Sequence, residues 1–363
     1  SGVLATELGK ALADKGHQVH FITYRQPVRL NVFCANIFYH EVSVPTYPLF
    51  DYPPYEVALA STMVDVIMNH DLDLLHVHYA IPHASAAYMA KQIVLKKTGR
   101  VVPFITTLHG TDITLVGKDK TYEPVVTFSI NESDAITAVS YNLKDETYNS
   151  FAITKEIEVI HNFVDVQRFS KKPIDAFKQA IAPNGEKILL HASNFRKVKR
   201  VDDVIKTFAL VRNTLNVKLM MVGDGPERHG AEELSRSLNI ESDVRFVGKQ
   251  EQMEDILAIS DVFLLPSEYE SFGLAALEAM ASRAIVISSN AGGLPEIMKH
   301  GETGFMANVG DVESMAAFAV EALKDENKLM EMKETAYQHA RSFDIKNIIP
   351  QYEAIYRRYC RDC

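Results

Sequence analysis

The sequence predicts an α/β protein made of two doubly wound domains, and three observations carry that expectation. Short β-rich runs alternate with helical patterns along the chain, as in a parallel sheet covered on both faces. The rhythm halts over residues 163–186 and then restarts. The chain has 363 residues, roughly twice a typical domain of about 150.

The elements follow in order. After Ser1-Gly2, the stretch 3–12 carries apolar residues at 4, 8, 11 and 12, the first turns of an amphipathic helix. A helix at the very start points to further sequence upstream of it. Gly16 breaks that helix, and His17–Tyr24 alternates as a strand. Further strands are expected at Ile37–Val42, Asp73–His78, Val101–Leu108, Asp134–Val139 and Ile157–Ile160, with helices over 55–69, 83–97 and 141–149. Residues 163–186 carry charges, Pro173, Pro183 and Gly185 but no clear strand, which marks the domain boundary. The second series of strands is Lys187–Ala192, Lys218–Val222, Val244–Val247, Asp261–Leu265 and Ala284–Ser288. The expected division is 1–165, 166–344, and a tail 345–363 whose helix over 346–359 is long enough to cross back to the first domain. Such a pair of domains places a cleft between the C-terminal edges of two sheets, where ligands bind.

Composition excludes several classes. Lys and Arg number 38 against 47 Asp and Glu, a net charge of −9, without a basic block. Neither nucleic acid nor an anionic membrane is an expected partner. No run approaches the ~20 apolar residues of a membrane-spanning helix. Three cysteines in a long chain make no disulfide framework and fit a reducing compartment, the cytoplasm. Homo-oligomerisation is left open.

Three loops at strand ends carry candidate chemistry. Ser267–Leu274 follows a strand and opens a helix, setting Glu270 beside the N–H groups of Phe272, Gly273 and Leu274, with Glu278 one turn further. Carboxylates accept several hydroxyl hydrogen bonds, and a helix start suits oxyanions or sugar hydroxyls. The alternative is a plain N-terminal cap with a solvated Glu. Residues 193–200 (SNFRKVKR) place four cations within 196–200, suited to a diphosphate or, equally, a solvated loop. The Gly223-Asp224-Gly225-Pro226 turn is a weak phosphate signal, and no G-x-G-x-x-G motif supports a nicotinamide cofactor. In the first half, His109 follows the strand 101–108 and could meet a ligand hydroxyl, or simply be structural. His76, His78 and His83 suggest a metal, but no carboxylate or cysteine set accompanies them, and no metal is expected. The loop 45–55 is rich in Pro and aromatics, a lid or a packed connection.

Taken together these residues resemble the retaining glycosyltransferases of family 4, of GT-B fold with two facing Rossmann-like domains and a cleft between them. Glu270 and Glu278 match the family's E-x7-E motif, VGDGPE at 222–227 its nucleotide-domain signature, and residues 160–165 its linker. Finer matches are YPPY at 52–55, HYAIPHA at 78–84, TTLHGTDIT at 106–114 and SNFRKVKR at 193–200. The resemblance covers essentially the whole chain. It implies UDP-N-acetylglucosamine as donor and L-malate as acceptor, giving N-acetylglucosaminyl-malate, the first step of bacillithiol-type thiol synthesis. No cofactor is implied.

The resemblance also implies roles. Lys199, Arg196 and Asn194 hold the donor diphosphate; Glu278 takes the ribose, and the backbone near Val247 the uracil. Glu270 and the N–H groups of Phe272, Gly273 and Leu274 orient the sugar, and His109 contacts it near the anomeric carbon. Tyr79, Thr106, Ser1 and Gly2 bind malate, with Arg29 added because a dicarboxylate wants a cation. The family's opening strand and Gly-rich loop are reduced here to Ser1-Gly2. Other readings are a family 4 enzyme with a lipid or polysaccharide acceptor, a nucleotide-sugar epimerase, or a sensor on the same fold. A lipid acceptor calls for a basic amphipathic helix, which is not evident.

Overall fold

The computed structural model describes residues 2–30, 33–44, 54–114, 119–170 and 174–360. The chain divides into two compact units, Ser1–Asn162 with Ile345–Cys363, and Phe163–Asp344. The partition falls at 162/163, where the sequence reading sets it at 165/166. Each unit is a Rossmann-like domain of parallel strands and helices.

In the first unit, α1 (Gly2–Asp14) buries Leu4, Leu8 and Leu12 and leads to β1 (Val19–Thr23), which pairs in parallel with β2 (Ile37–Glu41). The helices α2 (Tyr55–His70) and α3 (Ser85–Thr98) frame β3 (Leu75–His78). A four-stranded parallel sheet runs in the order β3, β4 (Phe104–Leu108), β5 (Ala135–Ala138), β6 (Ile157–Val159). The helix predicted over 83–97 begins only at Ser85, because the Ala80–Ala84 turn around Pro82 precedes it. The C-terminal helix Ile345–Tyr359 belongs to this unit, and its buried Glu353 accepts from Lys15 Nζ at 2.5 Å and faces His17 Nε2 at 3.3 Å. Among the described residues β1 pairs with β2 alone and β3 with β4 alone. A cavity of about 970 Å³ separates them, lined on one side by residues 16–28 and on the other by 70–79.

The second unit carries one six-stranded parallel sheet of β7 (Lys187–Ser193), β8 (Val217–Gly223), β9 (Val244–Gly248), β10 (Val262–Leu265), β11 (Ile285–Ser289) and β12 (Gly304–Ala307). Their order is β12-β11-β10-β7-β8-β9, so the winding reverses between β7 and β10. All residues of β10 and β11 are buried, which requires cover on both faces. β12 escapes sequence reading because its four residues begin with Gly304, at φ +155°. The stretch 163–186 holds two short helices, Val166–Phe169 and Asp175–Ile181.

Candidate active site

A reversal of strand order opens a crevice at the C-terminal strand ends, because the flanking connections leave to opposite faces of the sheet. Here the reversal sets the loop after β7 beside the loop after β10. Lys199 lies in the tight turn Lys197–Lys199, and its Nζ meets Glu270 Oε1 at 2.5 Å. Both side chains are largely shielded, 20% and 14% exposed, so the pair is shielded from bulk water yet reachable. Ser267 Oγ donates to the same oxygen at 2.8 Å, and Glu268 N donates to Val198 O at 2.8 Å. The two loops are thus tied at backbone and side chain.

Two glycines that sequence reading left aside hold this frame. Gly293 N donates to Glu270 O at 2.8 Å. Gly292 has φ +63°, and a Cβ there would lie 2.0 Å from Glu270 O. Across the site a Cβ on Gly223 (φ +122°) would lie 1.8 Å from Ser193 O, and one on Gly225 2.1 Å from Asn194 O. The GDGP turn therefore serves first as a close backbone seat for the 193–195 loop. Pro226 precedes the helix Arg228–Ser237.

His191 supports the same loop from below, and no pattern in the sequence announced it. It is fully buried; Nδ1 faces Leu264 O at 2.9 Å and Nε2 faces Ser193 Oγ at 2.8 Å. A carbonyl only accepts, so Nδ1 carries the hydrogen and Nε2 accepts from Ser193, whose oxygen in turn accepts from Phe195 N at 3.2 Å. Burial lowers the imidazole pKa to about 4, with Lys199 adding to the effect.

Gly273 (φ +95°) precedes the helix Leu274–Ala281, and Phe272 is buried with its ring 6.1 Å from that of Phe343. The first N–H groups of a helix have no partner within it. Glu278 stands half-buried one turn on. Asn194 lines a smaller cavity of about 270 Å³ with Ser193, Gly223, Lys249 and Gln250. Arg196 is exposed on the same loop. Val247 lies at the end of β9 beside that cavity, its carbonyl accepting from Gln250 Nε2 at 2.7 Å.

In the first unit, Tyr79 directly follows β3 at a positive φ (+81°), its N–H donating to Thr107 O at 2.9 Å. Its ring lies 5.2 Å from His109, and His109 Nε2 is 2.9 Å from His78 Nδ1. Burial, then the neighbouring histidines, holds His78 well below the ordinary histidine value; burial does the same for His109. Both are neutral at pH 7 and suit hydroxyls rather than ion pairs. Asp112 accepts from Ala80 N at 2.8 Å and Gly110 N at 3.2 Å, joining the Tyr79 and His109 segments. Burial raises its pKa to about 6 against the pull of those N–H groups.

Two expectations for the acceptor side need correction. Thr106, expected to bind malate, is in the middle of β4, fully buried, with Oγ1 2.7 Å from Ser133 Oγ. Arg29 is absent from the lining of the cavity that Tyr79 and Gly2 line, where the arginines are Arg25 and Arg357. Both ring nitrogens of His76 are engaged, Nδ1 with Tyr356 OH and Nε2 with Thr107 Oγ1, each at 2.7 Å. Ser1 and residues 45–53 lie outside the described residues.

Residues 1–168 match the family model Glycosyltransferase Family 4, and 173–339 match Glycosyl transferases group 1. The N-acetyl-alpha-D-glucosaminyl L-malate synthase of Bacillus anthracis is 46% identical over 367 residues, covering 100% of this chain and 94% of that one. A glycogen synthase of Mycobacterium tuberculosis is 29% identical over 270 residues, 70% of this chain and 63% of that one. Among solved structures, Anabaena HepE in complex with UDP-glucose superposes with a TM-score of 0.80 at 20% identity, covering 98% and 95% of the two chains. Two Rossmann-like domains of GT-B type, the Lys199–Glu270 pair at the strand reversal, and full-length identity to a family member agree, and the chain belongs to glycosyltransferase family 4.

Proposed function

We propose that this protein transfers N-acetylglucosamine from UDP-N-acetylglucosamine to the hydroxyl of L-malate, with retention at the anomeric carbon. The observation that carries this reading is the 46% identity over the full chain to the Bacillus anthracis synthase, since a family that also holds a glycogen synthase does not by itself choose an acceptor. Lys199 and Arg196 neutralise charge gathering on the departing UDP. Glu270 and the N–H groups at the start of the helix Leu274–Ala281 hold the sugar, Glu278 the ribose, and the β9 end the base. His109 and Tyr79 stand at the acceptor side with Gly2.

Retention without a protein nucleophile means that the malate hydroxyl attacks on the face the phosphate leaves. Its proton passes to a donor phosphate oxygen while the glycosidic bond breaks. The protein contributes position and charge, which together supply most of the barrier reduction in such sites. In this reading the cations on the diphosphate replace a divalent metal, and the reaction runs in the cytoplasm. Incubation with UDP-N-acetylglucosamine and a panel of hydroxy acids, read by mass spectrometry, tests the proposal. A malate adduct with α-anomeric coupling in the proton NMR spectrum is expected. Malate performing no better than glycerate or water overturns it.

A further inference from the structure

On the β1–β2 pair of the first unit, three imidazoles converge. In the β1–β2 register His20 stands opposite Phe38 and Ile22 opposite His40, so alternation puts His20 and His40 on one sheet face. His70, the last residue of α2, closes over the same face. The ring centroids lie 4.6 Å apart for His20–His70 and 5.2 Å for both His40–His70 and His20–His40. One ring nitrogen from each falls within 4.8 Å of the others. Among the described residues this is the one group of three or more His, Cys, Asp or Glu side chains gathered so closely. His20 Nδ1 meets His40 Nε2 at 2.9 Å, while His20 Nε2 is buried without a partner. The stacked Phe38 ring, 4.5 Å from His20, walls the group on one side, and the exposure of His70 leaves a way in.

We propose that His20, His40 and His70 form a site for a single divalent transition-metal ion, with zinc as the physiological class. Imidazole is the nitrogen ligand that suits zinc, copper and nickel, and three at ~2.0–2.1 Å from a zinc ion leave a fourth position for water. Small rotations of the rings bring the three nitrogens to that reach. The ion gives the His20 and His40 nitrogens a shared partner in place of one another, and no redox or group-transfer step is involved. Its work is mechanical: it fastens the end of α2 to the β1–β2 pair, a two-stranded sheet that is marginal alone.

The test uses the full chain, stripped with EDTA and dialysed, titrated with zinc chloride by calorimetry and probed by the visible absorption of bound Co²⁺. One ion per chain is expected, raising the melting temperature and slowing amide exchange in β1 and β2. His70→Gln, at an exposed helix end, and His40→Gln should each weaken binding by more than the ~10–100-fold lost with an outer-shell partner. Should His40→Gln fail to fold, His70→Gln alone decides. Absence of stoichiometric binding, or binding that survives both substitutions, overturns the assignment.

Discussion

Lys199 is where a single side chain should matter most to turnover. Its Nζ already sits against Glu270, so in the proposed reaction the diphosphate would meet a cation whose direction is fixed. Lys199→Ala should lower kcat by roughly 10²–10³-fold, the range for loss of one preorganised charge-stabilising donor, and leave the circular dichroism spectrum unchanged. A rate near that of the wild type would remove Lys199 from the diphosphate site. Thr106 gives the opposite expectation. Its hydroxyl bonds Ser133 Oγ, which itself donates to Ser129 O at 2.9 Å. Thr106→Val should therefore cost about 1 kcal/mol in urea unfolding and leave the malate KM unmoved. The contrast shows what sequence can say about residues. Lys199 and Glu270 stand out in the sequence as charges at strand ends, a pattern that a diphosphate site and a solvated loop share. Asp112 and His191 do not, because a buried polar group is defined by partners 73 or 32 positions away in sequence, such as Leu264 or Ala80.

At the scale of elements, the loops after β7, β8, β10 and β11 hold one another by backbone approach, and glycine makes this possible. A side chain at Gly292 meets both an unfavourable φ, worth ~1–3 kcal/mol, and the Glu270 carbonyl. Gly292→Ala should lower the melting temperature and reduce kcat together, since relief comes only by moving Glu270. Loss of stability with full activity would show that the Glu270 loop tolerates displacement. Strand β7 carries a pH dependence through His191. The unfolded chain takes up this proton below its ordinary value of 6.5 and the folded chain resists until about 4, so stability is full above 6.5 and is lost as pH falls toward 4. The loss amounts to roughly 3 kcal/mol by pH 4. Asp112 runs the other way: its pKa, raised to about 6, makes ionisation costly at neutral pH and relieves that cost on acidification. Urea midpoints between pH 7 and 4.5 should fall less for His191→Asn than for the wild type. Strand positions were read from alternation and apolar runs nearly throughout, but short β12 and the turn Ala80–Ala84 take their shape from tertiary neighbours, which periodicity does not report.

For the whole molecule, catalysis and metal binding are separable expectations. Activity should persist in EDTA, whereas a requirement for added Mg²⁺ would overturn the charge-stabilisation scheme. The same chelator should lower the melting temperature if the three-histidine site holds its ion. No helix among the described residues is long and apolar enough to cross a membrane. The helix Ile345–Tyr359 has a different implication. It follows the whole second unit in sequence yet belongs to the first, where its Glu353 accepts from Lys15 and faces His17. The first unit is in this sense a necklace whose clasp is fastened last, closing only after the second unit has been made. Glu353→Gln should loosen that clasp, read as a lower melting temperature.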